Sequence, residues 1–104
     1  MTRTAYTVIA RFNHESVRDE YVAWLQGGHI ARVIAGGAET ASIVVIDRET
    51  PDQSMAVEVR YVFPSRESLA RYIERHAPAL RAEGLARFPP ERGVTFQRTI
   101  GEMI

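Results

Sequence analysis

The sequence predicts an α+β fold in which four β-strands and two helices follow one another in the order β-α-β-β-α-β. Its 104 residues are enough for one domain with a modest core. Hydrophobic residues make up 45% and charged residues 25% of the chain, close to the average for globular proteins. Apolar side chains alternate with period two in three segments, a fourth segment is almost continuously apolar, and apolar side chains recur with helical spacing elsewhere. We therefore predict a single domain over residues 1–104.

The first half of the chain predicts a strand, a helix and a second strand. Residues 4–12 alternate between the two faces of a strand. Residues 17–28 then show apolar side chains at helical spacing, and the pair Gly27 and Gly28 is expected to weaken or end that helix. Residues 41–47 are almost continuously apolar, which predicts a strand buried on both faces.

The second half repeats this order with one strand, one helix and a last strand. Residues 55–63 alternate again and predict the third strand. Residues 65–77 carry an apolar stripe at helical spacing, and Pro78 is expected to break this helix or to begin a further helical segment. Residues 94–100 alternate and predict the fourth strand.

This order of elements predicts a ferredoxin-like fold. Right-handed crossovers over each helix give a four-stranded antiparallel sheet with both helices on one face. The more apolar set of alternating side chains is expected to meet the helices. Its members are Tyr6, Val8, Phe12, Val57, Val59, Tyr61, Phe63, Val94, Phe96 and Ile100.

Composition excludes several classes of function. The 13 acidic and 13 basic residues balance, which argues against nucleic acid or an anionic membrane as a partner. The chain has no cysteine, so it forms no disulfide and no thiolate metal site, and its histidines lack metal-ligand spacing. We expect no cofactor and no metal. The start of the chain shows no leader, and no apolar run is long enough to cross a bilayer, so we expect a cytoplasmic protein.

Three stretches carry a resemblance to a known family: YVAWLQGGHIARVIAGG, ASIVVID, and LARYIERHAPALRAEGLARFP followed by FQRTIGEMI. With them the chain resembles the dimeric α/β-barrel superfamily, and within it a small bacterial family known only as a domain of unknown function. The resemblance implies a homodimer in which two ferredoxin-like sheets pack face to face. The superfamily also contains cofactor-free monooxygenases, isomerases, haem-binding enzymes and proteins without known activity, so the fold does not select a reaction.

One histidine and three aromatic residues are the candidates for a site. His29 follows the glycine pair, where a neutral imidazole can act as a base or proton shuttle toward a pocket. The alternative is that His29 binds backbone carbonyl groups at the helix end. Trp24, Tyr21 and Tyr61 are predicted to line an aromatic ligand pocket, and the alternative for them is ordinary core packing.

The second face of the sheet carries the candidate interface. It mixes apolar residues with Arg11, Glu58 and Arg60, which is too apolar for open solvent and too polar for a core. We predict that these three residues belong to a homodimer interface, where they form an ion-pair network. The alternative is that the arginines orient an anionic ligand.

Two functions of different class fit these residues. In the first, the protein binds or transforms a small aromatic or acidic metabolite without a tightly bound cofactor, using His29. In the second, it is a non-catalytic dimeric module with a structural or regulatory role; haem binding is a weaker third. A pocket that contains His29 favours the first function, and a filled core with His29 bonded to backbone favours the second. The sequence does not decide whether the protein is an enzyme.

Overall fold

A computed structural model describes residues 2–104 as one four-stranded sheet covered on one face by helices. The elements follow the predicted order, and each of the two helical connections is divided into two helices. The strands are β1 (Thr4–Phe12), β2 (Thr40–Ile46), β3 (Met55–Phe63) and β4 (Val94–Glu102), and the helices are α1 (Glu15–Trp24), α2 (Ile30–Ala35), α3 (Arg66–Arg75) and α4 (Ala77–Arg87).

The sheet has the strand order β2-β3-β1-β4, and every pair of neighbours is antiparallel. Tyr6 in β1 faces Tyr61 in β3 on one side and Ile100 in β4 on the other. Side chains of directly paired residues share a face, so this register aligns the apolar positions of the three strands. The predicted ferredoxin-like α+β fold is confirmed.

The core lies between the sheet and the helices, as the alternation predicted. Val57, Val59 and Phe63 of the central strand β3 have no exposed surface, and Val8 and Phe96 are half-buried against them. Ile100 has the same phase but is 48% exposed, because β4 is an edge strand. The helices contribute Val17, Tyr21, Leu25, Val33, Leu69, Tyr72, Ala77 and Leu80.

Strand β2 differs from its prediction. Val44, Val45 and Ile46 are 47%, 46% and 40% exposed, although their apolar run predicted burial on both faces. The reason is position in the sheet: β2 lies at an edge and pairs only with β3, and only Ala41 and Ile43 are partly covered from the helical side. Within residues 2–104 no element covers the other face of the sheet.

A wide turn joins α1 to α2 across a kink at Gly28, whose backbone angles are not helical. In the segment Leu25–His29 the N–H of Ile30 donates to the carbonyl of Leu25, five residues earlier, which is the hydrogen bond of a π-helical turn. Gly28 has a φ of 136°, which a residue with a side chain rarely adopts. The glycine pair therefore bends the helix, and Val33 returns to the core one turn later.

The second helical connection breaks where the sequence predicted. Ser65 caps α3: its hydroxyl accepts from the N–H of Ser68, whose own hydroxyl accepts from the N–H of Ser65. Helix α3 ends before His76, and Pro78 lies in the first turn of α4. Among residues 2–104, no helix is long and apolar enough to cross a membrane.

Candidate functional site

A cavity of about 280 Å³ lies between the sheet and the two helical connections. Strands β1, β3 and β4 form its floor, the end of α1 with the wide turn forms one wall, and α3 with α4 forms the other. The strands contribute Tyr6, Val8, Tyr61, Phe96 and Arg98, and the helices and the turn contribute Tyr21, Trp24, His29, Tyr72, Leu80, Arg81, Gly84 and Leu85. An apolar cavity with a few polar groups is the usual form of a small-molecule site.

Trp24 and His29 form one wall of this cavity as a stacked pair. Their ring centroids are 4.0 Å apart and the planes are inclined by 24°. The wide turn permits this contact, because it brings His29 back to the side of the helix from which Trp24 projects. Gly84 of α4 leaves room for the indole: a side-chain carbon at position 84 would lie 3.4 Å from Cη2 of Trp24.

The surroundings of His29 keep its imidazole neutral. Burial, and to a smaller extent the charge of Arg32, lower the pKa of His29 to about 4, while the charge of Glu83 opposes this shift. Nδ1 is buried and has no hydrogen-bond partner within residues 2–104. The alternative in which this nitrogen binds a freed backbone carbonyl is therefore not what the structure contains. Nε2 is therefore the ring nitrogen that can make a polar contact with a bound molecule.

Four tyrosines surround the remainder of the cavity. The rings of Tyr61 and Tyr72 each lie with their centroids 6.0 Å from that of Tyr6, and Tyr21 packs at the other end, against Trp24. Burial raises the pKa of Tyr21 and of Tyr61, and it raises the pKa of Tyr72 to about 12. All three phenols therefore keep their protons at neutral pH and are available as hydrogen-bond donors.

Two arginines bring positive charge to the cavity. Nη2 of Arg81 donates to the hydroxyl of Tyr6 at 3.1 Å, and Cζ of Arg98 lies 5.8 Å from the ring centroid of Phe96. Neither arginine takes part in a salt bridge within residues 2–104. The two guanidinium groups thus contact aromatic side chains without being neutralised by them.

The structure brings the four sequence-predicted residues to this one cavity: Tyr21, Trp24, His29 and Tyr61. That they bind a ligand, and that His29 is catalytic, stay predictions. Sequence reasoning placed Tyr6 in the core and assigned no role at a site to Tyr6, Tyr72, Arg81 or Arg98. Arg98 could have been found, because it is a charged residue at a helix-facing position between Phe96 and Ile100. Arg81 has no comparable signal.

The predicted interface residues lie on the opposite face of the sheet. Register places Arg11, Glu58 and Arg60 on the face without helices, with Glu58 only partly exposed. The ion-pair network predicted for them is absent within residues 2–104: Nη1 of Arg11 instead donates to Oε1 of Gln97 at 3.0 Å. The network is predicted for the interface between two chains, and there it stays a prediction.

The histidines lie apart from one another. His29 lines the cavity, whereas His14 before α1 and His76 before α4 are exposed. In the described part of the chain, no three or more histidine or acidic side chains are grouped so that they could hold a metal ion.

Solved structures share this fold at low sequence identity. A dimeric ferredoxin-like protein from an uncultured marine organism has a TM-score of 0.79 and 9% identity, covering 100% of this chain and 97% of its own. A dimeric ferredoxin-like protein of unknown function from Thermobifida fusca has a TM-score of 0.67 and 12% identity, covering 98% and 92%. A monooxygenase of Streptomyces coelicolor in complex with nanaomycin D has a TM-score of 0.72 and 13% identity, covering 99% and 88%. At these identities the similarity shows the fold alone.

Sequence comparison places the chain in a family whose function is open. No curated protein is significantly similar to it in sequence. One family model matches residues 5–103, which is nearly the whole chain and includes every residue that lines the cavity. The protein belongs to the family described as "Domain of unknown function (DUF4286)".

Proposed function

We propose that the protein binds a small aromatic or acidic metabolite in the cavity between sheet and helices, without a tightly bound cofactor. The observation that carries this proposal is the cavity itself, about 280 Å³ of space bounded by four tyrosines, Trp24 and His29. Small-molecule sites are concave, largely apolar and carry a few polar groups, as this cavity does. A space this large and this aromatic therefore favours a ligand over a packing role for its walls.

His29 has a defined part in this proposal. Its Nδ1 is buried without a partner, and a buried N–H without an acceptor is rarer than a buried lone pair without a donor. We therefore assign the proton of the neutral ring to Nε2. His29 then donates a hydrogen bond to an acceptor on the ligand while Trp24 fixes the orientation of the ring. The catalytic role of His29 remains a prediction beyond this binding role.

The Streptomyces coelicolor monooxygenase offers support of a limited kind. It is a protein of this fold that is seen with a bound small molecule, nanaomycin D. This supports the capacity of a ferredoxin-like protomer to hold a small-molecule ligand. Its reaction does not transfer to this chain at 13% identity.

We infer in addition that the protein is a homodimer joined through the face of the sheet that no helix covers. This face carries Val44 and Ile46, both well exposed, beside Arg11, Glu58 and Arg60. The neighbours from the marine organism and from Thermobifida fusca are described as dimeric, which supports the same arrangement here. A dimer of this kind is equally consistent with the alternative function, a non-catalytic structural or regulatory module. Ligand binding is therefore the property that distinguishes a metabolite-binding protein from such a module.

A ligand screen with two variants of α4 tests the proposal. Leu85 is 54% exposed and lines the cavity, so Leu85→Trp adds bulk at the cavity without disturbing the core. Ala86→Trp adds the same bulk at an exposed neighbour that does not line the cavity. Small aromatic acids, phenols and their neutral analogues are screened by thermal shift, and hits are titrated by calorimetry.

We expect at least one compound to raise the Tm of the wild type and of Ala86→Trp, and to bind Leu85→Trp at least about tenfold more weakly. If no compound stabilises the wild type, or if both variants bind a hit equally well, the cavity is not the binding site and the module function gains support.

A further inference from the structure

The two arginines at the cavity indicate which class of ligand it takes. We propose that the ligand is an aromatic carboxylate whose acidic group is held between Arg81 and Arg98 while its ring lies against Trp24 and the tyrosines. This inference rests on the proposed binding function and makes it more specific, because it requires one molecule to be both aromatic and anionic.

Arg81 reaches the cavity from the helical side. It belongs to α4, and its Nη2 donates to the hydroxyl of Tyr6, a residue of β1 that is only 3% exposed. A guanidinium has five N–H donors, so a single hydrogen bond to a phenol leaves most of them available. The phenol carries no charge and therefore does not neutralise the arginine.

Arg98 reaches the cavity from the strand side. It pairs with Val8, another residue that lines the cavity, on the face that the helices cover. Its guanidinium lies over the ring of Phe96, which holds a cation by cation–π attraction. Burial raises the pKa of both Tyr21 and Tyr72, at either end of the cavity, and the charge of Arg98 opposes this shift at each of them.

Four arginines elsewhere in the described chain are paired with acids, whereas the two that line the cavity are not. Arg32, close to His29, donates to Glu83, and Arg92 binds Glu20 through both of its terminal nitrogens. Within residues 2–104, Arg81 and Arg98 have no acidic partner of this kind. Two uncompensated cations beside one apolar cavity attract an anion, and the planar guanidinium suits a carboxylate in particular.

The remaining walls suit the aromatic part of such a molecule. Trp24 and the tyrosine rings offer flat apolar surfaces, and the protonated phenols of Tyr61 and Tyr72 can donate to further oxygens on the ring. His29 also lines the cavity, and in the tautomer assigned above its Nε2 provides one more donor. The cavity therefore presents donors and cations to its ligand and no acid, which disfavours a cationic or amine ligand.

A matched pair of probes tests the charge requirement: 2-naphthoate and its neutral analogue 2-naphthamide, titrated by calorimetry. We expect the acid to bind the wild type at least about tenfold more tightly than the amide, the usual scale of a charged hydrogen bond. Arg81→Gln and Arg98→Gln are each expected to weaken binding of the acid about tenfold and to leave binding of the amide unchanged. Arg71→Gln, on an exposed position of α3 away from the cavity, is the control.

The outcomes separate the two levels of the inference. If acid and amide bind equally well and the arginine variants change neither affinity, the cavity binds aromatic molecules but the anionic requirement is wrong. If neither probe binds the wild type, and no larger aromatic acid does, both the inference and the proposed function fail. Should Arg98→Gln fold poorly, Arg81→Gln decides the question, because Arg81 lies on the exposed side of α4.

Discussion

Single residues set the chemistry of the cavity through their surroundings. His29 is an ordinary histidine in the sequence, but stacking on Trp24 at 4.0 Å removes water from one side of its ring, and Arg32 opposes protonation. The same burial keeps the protons on the phenols of Tyr21 and Tyr61. His29, Tyr21 and Tyr61 are thus held neutral over a wide range of pH.

The neutral state of His29 predicts how stability depends on pH. The folded protein binds a proton at His29 with a pKa near 4, whereas the unfolded chain binds it near 6.5. Between these values the unfolded state holds more protons, so the free energy of unfolding falls as the pH is lowered from about 6.5 to about 4. We expect His29→Gln to reduce this loss by about 1–2 kcal/mol, allowing for solvent screening.

Urea unfolding at a series of pH values measures this effect. His14→Gln is the control, because His14 is exposed before α1 and is not part of the cavity. A stability profile of His29→Gln that matches the wild type throughout the acidic range would show that the ring is free to take a proton in the folded state.

At the level of elements, the bend between α1 and α2 is what builds the site. A regular helix would place His29 and Trp24 on different sides, since residues five apart are not neighbours on an α-helix. The π-helical turn from Leu25 to Ile30 brings the two side chains to the same side, where their rings stack. Gly28 adopts the backbone angle that this turn requires. The conformation of one glycine therefore determines where the imidazole points.

The two glycines of the turn are predicted to differ in their tolerance of a side chain. A Cβ added at either glycine would meet no other atom within 4 Å, so space is equal, but Gly28 alone has the left-handed φ of 136°. We expect Gly28→Ala to lower the free energy of unfolding by about 1–2 kcal/mol, and Gly27→Ala to leave it unchanged or to raise it by up to about 1 kcal/mol.

Thermal and urea unfolding of the two variants give this comparison directly. Because Gly28→Ala also strains the turn that holds His29, we expect it to weaken ligand binding at the cavity more than Gly27→Ala does. Equal stability of the two variants would mean that the backbone at position 28 is not held in the left-handed region.

The sequence alone predicted some of the strands and site residues correctly and others not. Alternation predicted β1, β3 and β4 and their faces, because one face of each strand packs against helices. It failed for β2, since an apolar run does not reveal whether its strand lies at the centre or at the edge of a sheet. For the site, the glycine pair predicted that Trp24 and His29 lie at a cavity. It could not predict the same of Arg81, because the position of Arg81 depends on how α4 packs across the sheet.

At the level of the whole molecule, the protein has two layers, and its shortest dimension is 19 Å. The helices protect one side of the sheet, and the opposite side carries Ile9, Val44, Ile46 and Val62 among charged residues. In a two-layer fold the helices pack on one face of the sheet only, so the apolar side chains of the opposite face are left without a packing partner. A second copy of the chain supplies that cover in the proposed homodimer.

Adjacent positions of β2 test this dimer. Val44 and Val45 are 47% and 46% exposed, but Val44 pairs with Glu58 on the open face, whereas Val45 pairs with Val57 on the helical side. We expect Val44→Arg to convert the dimer into the 11.7 kDa chain and Val45→Arg to leave it intact, because only the first places a charge inside the interface. Sedimentation at micromolar concentration distinguishes the species, and a wild type that sediments as a single chain there would contradict the proposed dimer.

The exposed edge of β2 can pair with strands of other chains. Residues 41–46 form a window of high β-propensity with no charge and no proline, and within residues 2–104 one of its edges pairs with no strand. Such a window is a template for ordered aggregation between chains. Asp47 and Arg48 follow directly and act as charged gatekeepers at one end. The proposed dimer covers the open face of β2 but leaves this edge unpaired, so these two charges are what guards the edge against fibril formation.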